Sequence, residues 1–166
     1  MSGPTLKPLP LTRERFLPFG DVIEASGSQR QPMNATRFER FDDLCNVNTG
    51  TDGRVCVSVV RCRSATVLPY RFDVVERHPL GSQAFVPLAP ARFVVVVAPP
   101  GEGVELTDLQ AFVTNGRQGV NYLPGTWHMP LIAFEAGQEF LVIDRAGDQP
   151  NCEEHMLDES VLLLEP

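Results

Sequence analysis

The sequence predicts an all-β fold, a barrel or sandwich with one or two short helical turns. Three observations carry this. The apolar runs are short and rich in Val and Phe, as in Arg54–Arg63 and Arg92–Ala98. Turn signals such as Gly81 and Asn115-Gly116 separate them at short intervals. The elements read off the chain are almost all strands, about ten of them, at the spacing of a β-sandwich or barrel. The 166 residues are read as one domain spanning 1–166, with 1–10 a loosely ordered N-terminal segment.

The elements follow in order. Met1–Pro10 is proline-rich. Thr12 is a good N-cap for a helical turn through Leu17, which Pro18 and Gly20 end. Asp21–Glu24 alternates and reads as a strand, Ala25–Pro32 as a loop, and Arg37–Phe41 as a strand with one buried face. Asn46–Gly53 is rich in turn residues. Arg54–Arg63 is a β-branched strand. Val67–Val75 is another, interrupted by Pro69, which belongs at an edge or bulge. Gly81 turns the chain into Ala84–Leu88. Arg92–Ala98 is apolar on both faces and is expected to be the most buried strand. Leu106–Gln110 contains one helical turn. Gln110–Thr114 is a strand ending in the Asn115-Gly116 hairpin signal. Gly119–Tyr122, Trp127–Phe134 and Glu139–Asp144 follow as strands, and Val161–Leu164 adds an edge strand.

Composition narrows the function. The chain is 43% hydrophobic and 21% charged, as in a globular protein. A formal charge of −7 argues against a nucleic-acid partner. Lys7 is the one lysine, so the basic side chains are nearly all arginine, suited to two-point contact with carboxylates. Cys45, Cys56, Cys62 and Cys152 show no metal or Cys-x-x-Cys spacing and are expected to be free, buried thiols. Neither a signal-peptide core nor a run near 18 apolar residues is present, so a cytoplasmic protein with no membrane contact is expected.

Two polar stretches stand out among the apolar strands. Val75–Leu88 holds Glu76, His78 and Gln83. Gly119–His128 holds Asn121, Tyr122 and His128. Glu76 and His78 are two apart, so on a strand they share a face. Gln83 follows the Gly81 turn and can return to the same region. A carboxylate, two imidazoles and an amide oxygen suit a divalent first-row metal. The same groups can instead bind substrate directly and move protons. Each alone has a plain structural reading; their joint occurrence favours a site. His155 lies in an acidic stretch and reads as surface.

The order Glu76-x-His78-x4-Gln83, then Pro124-Gly125-Thr126-Trp127-His128, resembles the two metal-binding motifs of the cupin superfamily. Glu76 and Gln83 stand where that pattern has its first histidine and its glutamate. Longer stretches are similar to the ureidoglycolate lyase family: Glu76–Leu88, Phe93–Ala98, Phe112–Tyr122, Trp127–Leu131 and Phe140–Arg145, with Phe16–Ile23 and Glu39-Arg40-x-x-Asp43. The resemblance implies a cupin β-barrel, a homodimer, and cleavage of (S)-ureidoglycolate to glyoxylate and urea in purine catabolism. It also implies, for some members, a divalent metal such as nickel; metal-free catalysis stays open.

For that chemistry His128, His78 and Glu76 are the candidate catalytic residues. Glu76, His78, Gln83 and His128 are the ligands if a metal is bound. Arg40 is the candidate clamp for the substrate carboxylate, with Gln83, Asn121 and Tyr122 as further substrate contacts. The alternatives are another metal-dependent cupin enzyme acting on a related ureido compound, or a non-catalytic cupin that binds a small acid.

Overall fold

Two β-sheets and a separate hairpin make up the computed structural model, which describes residues 3–27 and 30–166. In chain order the strands are β1 (Thr5–Leu6), β2 (Leu9–Pro10), β3 (Gly20–Ile23), β4 (Arg30–Met33), β5 (Phe38–Phe41), β6 (Arg54–Arg61), β7 (Tyr70–Arg77) and β8 (Gln83–Pro87). They continue as β9 (Phe93–Ala98), β10 (Gln110–Val113), β11 (Gly119–Tyr122), β12 (Trp127–His128), β13 (Ile132–Ala133), β14 (Glu139–Ala146) and β15 (Glu153–Leu163). Helical structure among the described residues is one turn, α1 (Arg13–Phe16), and a 3-10 turn at Leu106–Asp108. The fold is thus nearly all β, as predicted, and the curled sheets fit a cupin-type barrel.

The larger sheet runs β1-β15-β7-β12-β9-β10-β2, with β13 also on β9; the smaller runs β3-β11-β8-β14-β6. The hairpin β4–β5 stands apart from both. β9 explains its own composition. Phe93, Val95 and Val97 point into one core, shared with Val120, Tyr122 and Phe140 of the smaller sheet. Val94, Val96 and Ala98 point into a second core, with Leu109, Trp127, Leu157 and Val161. Both faces are covered, so alternation with polar residues is not needed, and all six residues are buried. Thr12 caps α1 as expected, its hydroxyl accepting from the Arg15 amide at 3.3 Å. Phe16 and Phe19, at the end of this turn, seal the inter-sheet core.

Several elements differ from the sequence reading. Thr5–Leu6 and Leu9–Pro10, expected to be loosely ordered, pair in parallel with β15 and β10. Met1 and Ser2 lie outside the described residues, as do Ser28 and Gln29 of the expected Ala25–Pro32 loop; Arg30–Met33 of that region is a strand. The Asn115-Gly116 turn does not close a hairpin, because β10 and β11 belong to different sheets. The expected strand Trp127–Phe134 breaks into β12 and β13 around Pro130, which has no amide hydrogen to give the ladder. β15 is far longer than Val161–Leu164 and is interior, between β1 and β7. His155 is therefore half-buried, its ring 5.7 Å from Trp127. All four cysteines are free, but Cys152 is exposed and the others half-buried.

Candidate active site

Sheet register builds the site. His128 on β12 lies directly opposite Glu76 on β7, and on its other side opposite Val97 of β9. Val97 faces the inter-sheet core, so His128 and Glu76 face it too. Trp127, one residue earlier, faces the other way, with the Arg77 guanidinium 4.8 Å from its ring centroid. Thr126 anchors the turn before β12. Its hydroxyl donates to the Phe19 carbonyl at 2.8 Å and its amide to Leu123 at 3.0 Å.

His78 follows β7 directly. Its carbonyl accepts from the Gly125 amide at 2.9 Å, tying it to the turn that leads to His128. Gly125 has φ +82°, a conformation glycine takes without a steric penalty. Asn151, 71 residues beyond Leu80, accepts the Leu80 amide on its side-chain oxygen at 2.7 Å.

Glu76 Oε1 lies 3.7 Å from His128 Nε2 and 4.0 Å from His78 Nε2. One ligand atom from each of the three falls within 4.8 Å of the others. Both imidazoles have a defined tautomer. His78 Nδ1 is 2.5 Å from the Asn151 carbonyl and His128 Nδ1 is 2.9 Å from the Thr126 carbonyl. A carbonyl only accepts, so each Nδ1 carries the proton and each neutral ring keeps its lone pair on Nε2. Neither Nε2 atom, both buried, has a hydrogen-bond partner among the described residues. Two bare nitrogen lone pairs and a carboxylate thus converge with no donor between them. A divalent first-row cation satisfies such a set, so the residues present fit one.

Burial shapes the acid–base chemistry. His128 is 2% exposed. Its pKa is lowered to about 4, by burial first and then by His78, while the bond to Thr126 opposes this. Tyr122 stacks on His128, with centroids 4.4 Å apart and planes at 24°. Burial, and then the charge of Glu76, push its hydroxyl pKa up, so it stays a donor; it has no partner among the described residues. Cys152 Sγ lies 3.6 Å from Glu76 Oε2, and burial and Glu76 hold its thiol protonated.

Glu76, Gln83 and His128 line a cavity of about 350 Å³ together with Phe85, Leu131 and Phe140. That size suits a small molecule. Gln83 donates its amide nitrogen to Asp144 at 3.4 Å, which leaves its oxygen as the free acceptor. Of the other expected substrate contacts, Tyr122, stacked on His128, does not line this cavity, and two fall elsewhere. Arg40 sits on the detached hairpin, 2.6 Å from Asp42, with its side chain 66% exposed. It is not brought to the cavity. Asn121 points away from Tyr122, as neighbours on a strand do, and donates to Asp21 at 3.0 Å and to the Asn46 carbonyl at 3.1 Å. It ties the Asn46 segment to the sheet. The sequence reading did not find Asn151 and Thr126, which orient the imidazoles with main-chain oxygens; nothing in residue type marks such a role. It also passed over Arg61 and Arg63, which line the cavity. Their signal was two arginines at the end of a strand leading toward the site.

A family profile described as ureidoglycolate lyase matches residues 3–164. The chain belongs to the ureidoglycolate lyase family. Members named ureidoglycolate lyase share close to half its residues. One from Pseudomonas syringae pv. syringae is 47% identical over 93% of this chain and 91% of its own length. One from Burkholderia mallei is 47% identical over 97% and 94%. One from Azotobacter vinelandii is 46% identical over 95% and 96%. The matched span covers nearly the whole chain and includes Glu76, His78 and His128.

Proposed function

We propose that the chain is a ureidoglycolate lyase of the amidine-lyase type, cleaving (S)-ureidoglycolate to glyoxylate and urea in allantoin and purine degradation. Family membership names the substrate. The observation that carries the site is the convergence of Glu76, His78 and His128 beside a cavity of small-molecule size.

The substrate bears a carboxylate, a hydroxyl and a ureido group on neighbouring atoms. Cleavage removes the hydroxyl proton, turns that C–O bond into a carbonyl, and breaks the C–N bond with its electron pair going to nitrogen. The nitrogen then takes up a proton, so none is gained or lost overall. Glu76 is the proton carrier in this reading. It lines the cavity and can accept the hydroxyl proton and return it to the departing nitrogen. The free oxygen of Gln83 accepts from a ureido N–H, and Asp144 keeps the amide so oriented. Tyr122 packs against His128 and holds its ring plane. The apolar walls from Phe85, Leu131 and Phe140 limit water around the reacting carbon.

Glu76, His78 and His128, with Gln83 as a fourth ligand, would hold a divalent cation such as nickel. Bound there, a cation supplies Lewis acidity that makes the substrate hydroxyl easier to deprotonate. A homodimer fits the edge strand β6, whose Val55, Val57 and Val59 are exposed in a row with unpaired backbone beside them. A cytoplasmic setting fits the four free thiols, and no helix among the described residues is long and apolar enough to cross a membrane.

The test is turnover of (S)-ureidoglycolate, with urea, ammonia and glyoxylate all measured, before and after chelation, and metal analysis of the same sample. Equal urea and glyoxylate are expected, falling on chelation and recovering with nickel or manganese. Ammonia in place of urea would sink the lyase assignment. His128→Ala is expected to abolish glyoxylate release with the far-ultraviolet circular dichroism unchanged; retained turnover would remove His128 from the site.

A further inference from the structure

The geometry points to Arg63 as the residue that binds the substrate carboxylate and sets the preference for an anionic substrate. This rests on the proposed reaction and adds to it the recognition of the acid group.

The cavity that holds Glu76 and His128 is also lined by Arg61, Cys62 and Arg63. Its polar lining thus combines a carboxylate and an imidazole with two cationic side chains. A small molecule carrying a carboxylate on one carbon and a reacting hydroxyl on the next suits such a lining: the anion is repelled by Glu76 and drawn by an arginine. Of the two arginines, Arg61 is already engaged. Its Nε and Nη2 contact Glu139 Oε1 at 2.8 and 2.6 Å. Arg63 has neither an ion pair nor a side-chain hydrogen bond among the described residues. Its guanidinium keeps its full set of donors for a ligand, in the fork that fits a carboxylate at two points.

The backbone beneath it is held. Cys62 donates its amide to the Gln138 carbonyl at 2.8 Å and accepts from the Gly137 amide at 2.8 Å. The Cys62 side chain packs on the inter-sheet core. The residue before Arg63 is therefore fixed on both backbone and side chain, and the arginine projects from a secured point beside the cavity. Arg77, next to Glu76, is spent elsewhere, locked by Glu153, Glu102 and the Gly101 carbonyl.

The experiment compares the metal-loaded wild type with Arg63→Gln and Arg63→Lys. The readouts are steady-state glyoxylate release, and binding of oxamate and of its neutral counterpart oxamide by calorimetry. Arg63→Gln is expected to raise KM for ureidoglycolate and the Kd of oxamate by about tenfold or more, with kcat within about threefold and oxamide binding unchanged. Arg63→Lys should fall between, because a point charge replaces the fork. An unchanged KM and oxamate Kd in Arg63→Gln would overturn the assignment. So would equal weakening of oxamate and oxamide, which reports a damaged pocket rather than a lost charge. If the wild type turned over no ureidoglycolate, the proposed reaction would fail while oxamate binding still decided the role of Arg63.

Discussion

Lowering the pH of the chelated protein from 7.5 to 4.5 should weaken it through His128, and the size of that loss follows from where the ring sits. Above pH 6.5 the imidazole is neutral in both the folded and unfolded chain and contributes no pH dependence. Its pKa in the fold is lowered from 6.5 to about 4, chiefly by burial. Between these values the unfolded chain takes up a proton that the folded chain refuses, so the unfolded state gains stability as pH falls. Each pH unit inside the window removes about 1.4 kcal/mol, and the whole window roughly 3 kcal/mol. Below about pH 4 the loss stops growing. The assay is urea denaturation at half-unit steps from pH 7.5 to 4.0, with a chelator present, on wild type and His128→Gln. Every other ionisable side chain is common to both proteins, so the difference between the two curves isolates His128. That difference should shrink by roughly 2 kcal/mol between pH 6.5 and 5. Two parallel curves would refute the reasoning, because they would mean that the folded protein accommodates the imidazolium as easily as water does.

Three further outcomes are expected. Gly119→Ala places a methyl 2.6 Å from the Phe85 carbonyl oxygen and 3.2 Å from Val86 Cα, so β11 and β8 must part; a loss of about 2 kcal/mol or more in chemical denaturation is expected, with weaker turnover because Tyr122 and Gln83 face each other across that pair. Arg40→Ala should leave KM for ureidoglycolate within about twofold in steady-state assays, since an exposed pair with Asp42 adds little; a tenfold rise would return Arg40 to the site. Val57→Asp puts a charge in the middle of the exposed edge strand β6, where the valine is 62% exposed; sedimentation should show a monomer with an unchanged melting temperature, and an unchanged assembly would move the interface away from β6.

What the sequence revealed depended on how strongly a residue is tied to a period or a motif. Phe93–Ala98 announced burial on both faces because only a strand between two cores can be apolar at every position. The pairing of Glu76 with His128 was legible as two polar stretches, but their direct opposition is a matter of register, which Trp127 and Ala98 help to set on the far face. β4 was missed because all four of its residues are exposed, so it has no buried stripe to read. β15 was read only at its end. Its first half is polar and acidic, and Leu157 is the buried residue that marks it among its neighbours. The placement of Arg40 was illegible for a different reason. Arg40 and Arg63 are both arginines at strand ends or edges, and only the three-dimensional path puts Arg40 on a detached hairpin and Arg63 beside the cavity.

The carbonyls of Thr126 and Asn151 that orient the two imidazoles have an effect on how the site can be lost. An orienting group on a side chain disappears with a single substitution. A main-chain oxygen is present whatever residue occupies the position, so replacing Thr126 or Asn151 leaves the acceptor chemically intact. Only a shift of the chain can take it away. The tautomers of His78 and His128 therefore depend on the path of two turns, and a change that frees those turns, such as loss of the Thr126 hydroxyl from the Phe19 carbonyl or of the Asn151 side chain from the Leu80 amide, should reach the imidazoles through the backbone.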